Sequence, residues 1–246
     1  MSSVASSSGY TVKLHSREEV ADGTFAFDFE KPIGFTFKPG QFIEMTLIDP
    51  PQTDSEGNGR AFSIASSPQH KNLRITTRMR DTAFKRVLSG LAVGAEVEIE
   101  GPFGDLVLHN NPARPAVLLA GGIGITPFRS IVLSAAERKM SHRIFLFYSN
   151  RRPEDAAYLK ELQDLQLQNP NYKLIATMTQ MEDSSQPWHG ETGPIDKQML
   201  SRGLGGTQNA ICYLAGPPGM IAGMRTMLNG AGIDDDDIRA EEFSGY

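Results

Sequence analysis

The sequence predicts an antiparallel β domain followed by a parallel α/β domain, and three observations carry that prediction. Before about Pro112 the apolar residues alternate in short runs broken by glycine and proline, as in Tyr10-Thr11-Val12-Lys13-Leu14, Phe25-Ala26-Phe27-Asp28-Phe29 and Val97-Glu98-Ile99. That is the period of half-buried antiparallel strands. After Pro112, continuous apolar stretches at 116–120, 144–148, 172–178 and 211–215 are separated by helical segments, a pattern that argues a parallel sheet with helices on both faces. Between the two, Asn110-Asn111-Pro112-Ala113-Arg114-Pro115 opposes both helix and ladder pairing and reads as a hinge. The expected division is a tail at 1–9, one domain at 10–110 and a second at 111–246.

Length and composition agree with two cores of ordinary size, since the chain has 246 residues of which 39% are hydrophobic. A formal charge of −5 gives no support for nucleic-acid binding. No apolar run approaches the roughly 18 residues needed to cross a bilayer, and the serine-rich opening has neither the apolar core nor the basic flank of a signal peptide. A soluble cytoplasmic protein with a disordered N-terminal tail is expected. The single cysteine, Cys212, can form no internal disulfide. Nor can it hold an iron-sulfur cluster, which needs about four thiolates, so any one-electron carrier would be a separate molecule. The histidines at 15, 70, 109, 142 and 189 show no metal-ligand spacing, and no metal site is expected.

Two segments carry chemistry. Arg60-Ala61-Phe62-Ser63 sets a permanent cation, an aromatic ring and a hydroxyl along an apparent strand, able to grip a diphosphate, lie on a flat ring and donate to a ring nitrogen. Gly121-Gly122-Ile123-Gly124-Ile125-Thr126-Pro127 follows an apolar strand and precedes an amphipathic stretch at 128–138. It reads as a strand, a glycine turn and a helix N-terminus, where backbone amides can approach an anion. This is not the G-x-G-x-x-G fingerprint, and it lacks the lysine of a nucleotide-triphosphate loop, so kinase and ATPase chemistry drop out.

With Arg80-Asp81-Thr82-Ala83-Phe84-Lys85, Gly101-Pro102-Phe103-Gly104, Gly216-Pro217-Pro218-Gly219-Met220 and the ending Glu242-Phe243-Ser244-Gly245-Tyr246, these segments resemble the ferredoxin-NADP reductase superfamily in content, order and spacing. The resemblance implies a six-stranded antiparallel Greek-key barrel holding FAD, then a parallel α/β domain holding NAD(P)H. It implies that Arg60 meets the flavin diphosphate, that Phe62 packs on the isoalloxazine and that Ser63 lies near its N5, with Ser63 and Phe243 as catalytic candidates. Thr77, Arg78 and Met79 match the next flavin-contacting strand, largely through backbone, and Thr82 can cap a helix at 83–91 and donate to phosphate, the two roles being compatible and the resemblance favouring the phosphate. Gly121, Gly122, Gly124 and Thr126 would underlie the nicotinamide diphosphate, and Gly216, Pro217 and Met220 would form the facing wall. Phe243 and Tyr246, after a final strand expected at 237–243, would cover the flavin. Electrons would pass from NAD(P)H through FAD to a ferredoxin, a flavodoxin or an oxygenase component. A free flavin or quinone reductase and an FAD-holding subunit are the alternatives.

The remaining signals are read residue by residue. Many members of that superfamily carry a cysteine where this chain has Ala215, and alternation puts Cys212 on the opposite face, so it is expected to be a small buried hydrophobe. Arg151 and Arg152 suit a 2′-phosphate, whereas Glu154 or Asp155 suits a free 2′-hydroxyl or a helix cap, with a slight lean to NADPH. The basic residues Arg74, Arg78, Arg80, Lys85 and Arg86 form either a solvated face or a flank for flavin phosphates and an acidic protein. Residues 234–237 read as a solvated acidic turn, and 181–193 as an irregular loop in which Trp188 and His189 have no assigned role.

Overall fold

The computed structural model describes residues 9–243, so the expected tail, apart from Gly9, and Tyr246 lie outside the described residues. The first sheet is built from β1 (Tyr10–Ala21), β2 (Thr24–Glu30), β3 (Phe42–Leu47), β4 (Gly59–Ser63), β5 (Asn72–Arg78) and β6 (Glu96–Phe103). Their order is β4-β3-β6-β1-β2-β5, and every pairing is antiparallel. The edge strands approach where the Ala65 amide donates to the Arg74 carbonyl at 2.7 Å, curling the sheet into a barrel. Alternation works as expected: Val12, Leu14, Phe27, Phe29, Ile43, Met45, Ile75, Val97 and Ile99 fill the interior. Helix α1 (Ala83–Gly90) adds Phe84 and Leu88 to that core.

The second sheet is parallel throughout, with order β10-β9-β8-β7-β11-β12. It contains β7 (Ala116–Gly121), β8 (Ile144–Asn150), β9 (Tyr172–Met178), β10 (Glu191–Thr192), β11 (Ile211–Gly216) and β12 (Ile238–Glu242). The connecting helices are α2 (Ile125–Glu137), α3 (Leu159–Gln168), α4 (Lys197–Leu204) and α5 (Pro218–Gly230). One face of the sheet, with Leu118, Leu146, Tyr148 and Tyr213, packs with α2 and α3. The other, with Val117, Leu119, Phe147 and Leu214, packs with α4 and α5. Burial on both faces is why these strands read as unbroken apolar runs. The chain moves outward from β7 to β10, then returns to place β11 beside β7. That reversal is the topological switch point, and both glycine turns leave the sheet there.

Four sequence expectations need correction. Helix α2 is not amphipathic: every residue from Ile125 to Ala135 is buried, because the barrel covers the face that would otherwise meet water. On that face Arg129 Nη1 donates to the Ala65 carbonyl and Ser130 Oγ to the Ser66 carbonyl, each at 2.6 Å. The final strand is Ile238–Glu242 instead of 237–243. The stretch 181–193 is not wholly irregular, since Glu191–Thr192 pairs with β9 as an edge strand. Trp188 braces it by donating Nε1–H to the Glu191 carbonyl at 2.7 Å. Finally, Asp234, Asp235 and Asp236 of the acidic turn are exposed as expected, but Asp237 is half-buried and pairs with Arg114 at 2.6 Å.

Candidate functional site

A cleft of about 340 Å³ runs along the seam between the two sheets. Strand β4 contributes Arg60, Phe62 and Ser63, the end of β5 contributes Thr77 and Arg78, and α1 contributes Thr82 and Lys85. From the second half come Ile123 and Thr126 of the first glycine turn, and Phe243. Eight of the sequence-predicted residues therefore share one cavity: Arg60, Phe62, Ser63, Thr77, Arg78, Thr82, Thr126 and Phe243. Four cations line it, Arg60, Arg78, Arg80 and Lys85, against the single carboxylate of Glu56.

The individual geometries refine the expected roles. Arg60 stacks its guanidinium 5.2 Å from the centre of the Phe84 ring. It is also held by Asp54 at 3.3 Å, by Glu56 at 2.8 Å and by three carbonyls of the preceding turn. Phe62 packs with Phe84 at 5.8 Å between centroids, so Arg60 and Phe62 share one face of β4. Ser63, on the other face, donates to Glu241 Oε1 at 3.4 Å. Thr82 is the N-cap of α1, its hydroxyl accepting from the Lys85 amide at 3.3 Å. Arg78 reaches across the seam to Asp155 at 3.0 Å, while its carbonyl accepts from Lys85 Nζ at 2.7 Å.

Glu241 is the residue that sequence patterns did not single out, whereas Lys85 is one of the basic residues read as either a solvated face or a flank for flavin phosphates. The basic run divides between its two readings: Lys85 is folded inward from α1 to line the cleft, where burial, with Arg80 and Arg60 nearby, pushes its ammonium down to about 8. Arg86, one residue on, is exposed and pairs with Asp81. Glu241 follows β12 to the level of Ala215 on the neighbouring strand. Burial pushes its carboxyl above the ordinary range, against the lowering effect of the Ser63 hydrogen bond. The folded state thus holds its proton more tightly than the unfolded chain, and stability falls as pH rises through the folded value. Glu241→Gln is expected to be more stable than the parent at pH 8, with the difference closing near pH 4; urea titrations at both pH values measure it.

The glycine turns are built for each other. A Cβ at Gly121 would lie 2.2 Å from Met220 Sδ, and one at Gly124 would lie 2.1 Å from the Ala215 carbonyl oxygen. Gly122 adopts φ 51°, in the left-handed region open to glycine. Thr126 Oγ1 donates back to the Ile123 carbonyl at 2.9 Å and sets the entry to α2. The crowding holds Pro217 and Met220 against the first turn, so Gly121, Gly122, Gly124, Gly216, Pro217 and Met220 form the floor of the switch point and do not line the cleft itself. Cys212 faces the opposite core, and burial pushes its thiol up to about 12, which makes it inert as a nucleophile.

A second cleft of about 460 Å³ opens further along the seam and holds Met79, Arg78, Arg80, Arg151 and Arg152 beside Asp22, Asp155 and Asp183. Arg152 is fixed to Asp155 at 2.9 Å, and Glu154 accepts from Ser184 Oγ at 2.8 Å and the Ser185 amide at 3.0 Å. Arg151 is exposed at the cleft. Among the described residues, no group of three or more His, Cys, Asp or Glu is placed to hold a metal, and no helix is long and apolar enough to cross a membrane.

A cationic seam with an aromatic floor, two interlocked glycine turns and a shared wall is the arrangement of a two-domain dinucleotide-binding fold. The residues fit a flavin dinucleotide on the barrel side, since cations, a helix N-terminus and the Phe62 ring converge there. Residues 118–226 match the oxidoreductase NAD-binding domain family. The glycine betaine monooxygenase reductase subunit of Chromohalobacter salexigens is 28% identical over 223 residues, covering 89% of this chain and 60% of that protein. Reductase component 2 of terephthalate 1,2-dioxygenase from Comamonas is 26% identical, covering 96% of this chain and 68% of that protein. The solved ferredoxin NADP+ reductase of Neisseria gonorrhoeae, with bound FAD and NADP, superposes with a TM-score of 0.79 at 18% identity, over 95% of this chain and 98% of that one. Over nearly its whole length the chain is similar to the reductase components of oxygenases, and it shares the fold of the ferredoxin-NADP reductase structure. It spans about 60% of the length of the first of these relatives.

Proposed function

We propose that the protein is an FAD-dependent NAD(P)H reductase, with residues 10–110 as its flavin half and 111–246 as its nicotinamide half. The observation that carries this reading is the single cleft in which Arg60, Phe62 and Ser63 of the barrel meet Ile123 and Thr126 of the glycine turn. When bound, FAD accepts hydride from the nicotinamide and releases electrons one at a time. The chain's own part is position: Phe62 supports the ring, and Ser63 presents its hydroxyl at the seam, where it is oriented by donating to Glu241. The interlocked turns fix the donor side, and Phe243 forms the wall a nicotinamide would have to displace or share.

The coenzyme proposed is NADPH, because Glu154 and Asp155 are already engaged while Arg151 stands exposed at the second cleft. The acceptor proposed is a separate electron carrier or an oxygenase component, in keeping with the similarity to the monooxygenase and dioxygenase reductases above, and the location proposed is the cytoplasm. Of the basic flank, Arg80 and Arg86 remain at the surface to meet an acidic partner, because Lys85 is turned inward.

Anaerobic mixing of the flavin-loaded protein with NADPH and NADH, followed by ferredoxins, flavodoxins and free flavin, tests the reading. Bleaching by NADPH faster than by NADH, then transfer to a protein carrier, is expected. Absence of bleaching with either coenzyme would refute the reductase assignment, and transfer to free flavin alone would favour a diffusible flavin reductase. Mass analysis of the cofactor released by heat should return FAD; FMN alone would overturn the diphosphate assignment.

A further inference from the structure

Within the cleft, the cation best placed to serve a diphosphate is not the expected one. Arg60 spends its terminal nitrogens on Asp54, Glu56 and the carbonyls of Glu56, Gly57 and Gly59. Its charge is thereby largely neutralised before any ligand arrives. Lys85, in the first turn of α1, aims Nζ into the same cavity and donates to one carbonyl, that of Arg78. An ammonium has three donors, so two hydrogens remain to be placed. The position also lies by the N-terminus of α1, where the helix dipole favours a negative ligand.

We propose that Lys85 is a diphosphate-binding residue of the flavin cleft, and that flavin binding draws a proton onto it. This rests on the reading of that cleft as the FAD site. Charged groups lie on the elements packed around Lys85, and Arg80, Arg60 and Glu56 act on it directly. Arg60 lies on β4, Glu56 and Asp54 on the loop before it, and Arg78 and Arg80 at the end of β5. Asp81 and Arg86 flank α1, and Asp155 lies across the seam on Arg78. Burial first, and then the nearby charges of Arg80 and Arg60, disfavour a further positive charge here and push the Lys85 ammonium down to about 8. A diphosphate reverses that balance and raises the value. Between pH 8 and the raised value the complex binds one more proton than the free protein. Affinity for FAD therefore declines as pH rises above about 8.

The test is calorimetric titration of flavin-free protein with FAD from pH 7 to 10, in buffers of different ionisation enthalpy, for the parent, Lys85→Met and Lys85→Arg. The parent should take up close to one proton per FAD near pH 9 and almost none at pH 7. Lys85→Met should bind FAD roughly tenfold or more weakly at pH 7 and lose the proton uptake. Lys85→Arg, permanently charged, should bind without uptake across the range. Uptake that persists in Lys85→Arg, or that is absent in the parent, overturns the proposal. If Lys85→Met does not fold, the comparison of parent with Lys85→Arg decides alone. Should the parent bind no FAD at any pH, it is the assignment of the cleft that fails; should FAD bind with identical pH dependence in all three proteins, only the role of Lys85 fails.

Discussion

Arg129→Met is expected to lower the unfolding free energy by roughly 2–3 kcal/mol, the largest stability loss of any single polar substitution at the seam. Arg129 is 4% exposed, yet every arm of its guanidinium is used. Nε and Nη2 make a two-pronged pair with Glu161 at 2.7 Å each, Nη1 donates to the Ala65 carbonyl at 2.6 Å, and the plane lies 4.2 Å from the centre of the Tyr158 ring. Methionine would keep much of the stem's volume while leaving a carbonyl and a carboxylate without their donor. Removing one partner of a fully buried pair costs about 3–5 kcal/mol. Glu161 remains 39% exposed and can turn to water, which places the expected loss below that range. At about 2–4 °C per kcal/mol for a chain of this size, the melting midpoint should fall by roughly 4–12 °C. Arg129→Lys should recover only part of the loss, because a point cation cannot serve Glu161 and Ala65 together. Equal midpoints for Arg129→Met and the parent would show that the bridge contributes nothing.

That bridge also explains where the sequence was misleading. Strand type was legible in β1, β2, β6, β7, β8 and β11, because burial on one face or two writes itself into the apolar period, whereas the two-residue edge strand β10 is too short to show one. Helix α2 was not legible, since a helix squeezed between a sheet and a barrel has no solvent face, and its Arg129 and Ser130 looked like the polar side of an amphipathic helix. The same limit left Lys85 between two readings, a solvated face and a flank for flavin phosphates. In the sequence it adjoins Arg86, but successive residues on a helix point about 100° apart, so one lines the cleft while the other meets solvent. Arg60, Phe62 and Ser63 could be singled out as a group from a four-residue segment. Their partners Phe84 and Glu241 could not, because these come from elements whose approach depends on the whole fold. Charge along a strand says which groups exist; only packing says which of them are already satisfied.

The glycine turns make the same point with an outcome that differs between two residues of similar appearance. Gly124→Ala is expected to weaken nicotinamide binding by roughly a hundredfold and to destabilise the fold, whereas Gly219→Ala should do neither. Gly124 has φ −59° and ψ −5°, a conformation alanine adopts freely, so the obstacle is space alone. An added Cβ would stand 2.1 Å from the Ala215 carbonyl oxygen, 2.4 Å from its carbon and 2.8 Å from the Gly216 nitrogen, all backbone atoms of the facing turn. No rotamer change can relieve that clash. The two turns must separate at the switch point, which displaces the backbone that meets the coenzyme, and the hundredfold loss expected corresponds to about 2.8 kcal/mol of lost contact. At Gly219, inside α5, an added Cβ would meet nothing within 4 Å, and alanine is the better helix former by about 1 kcal/mol. Coenzyme titrations of the two variants, with melting midpoints alongside, measure the contrast. If Gly124→Ala binds NADPH as the parent does, the close approach of the turns is a packing accident and does not shape the coenzyme site.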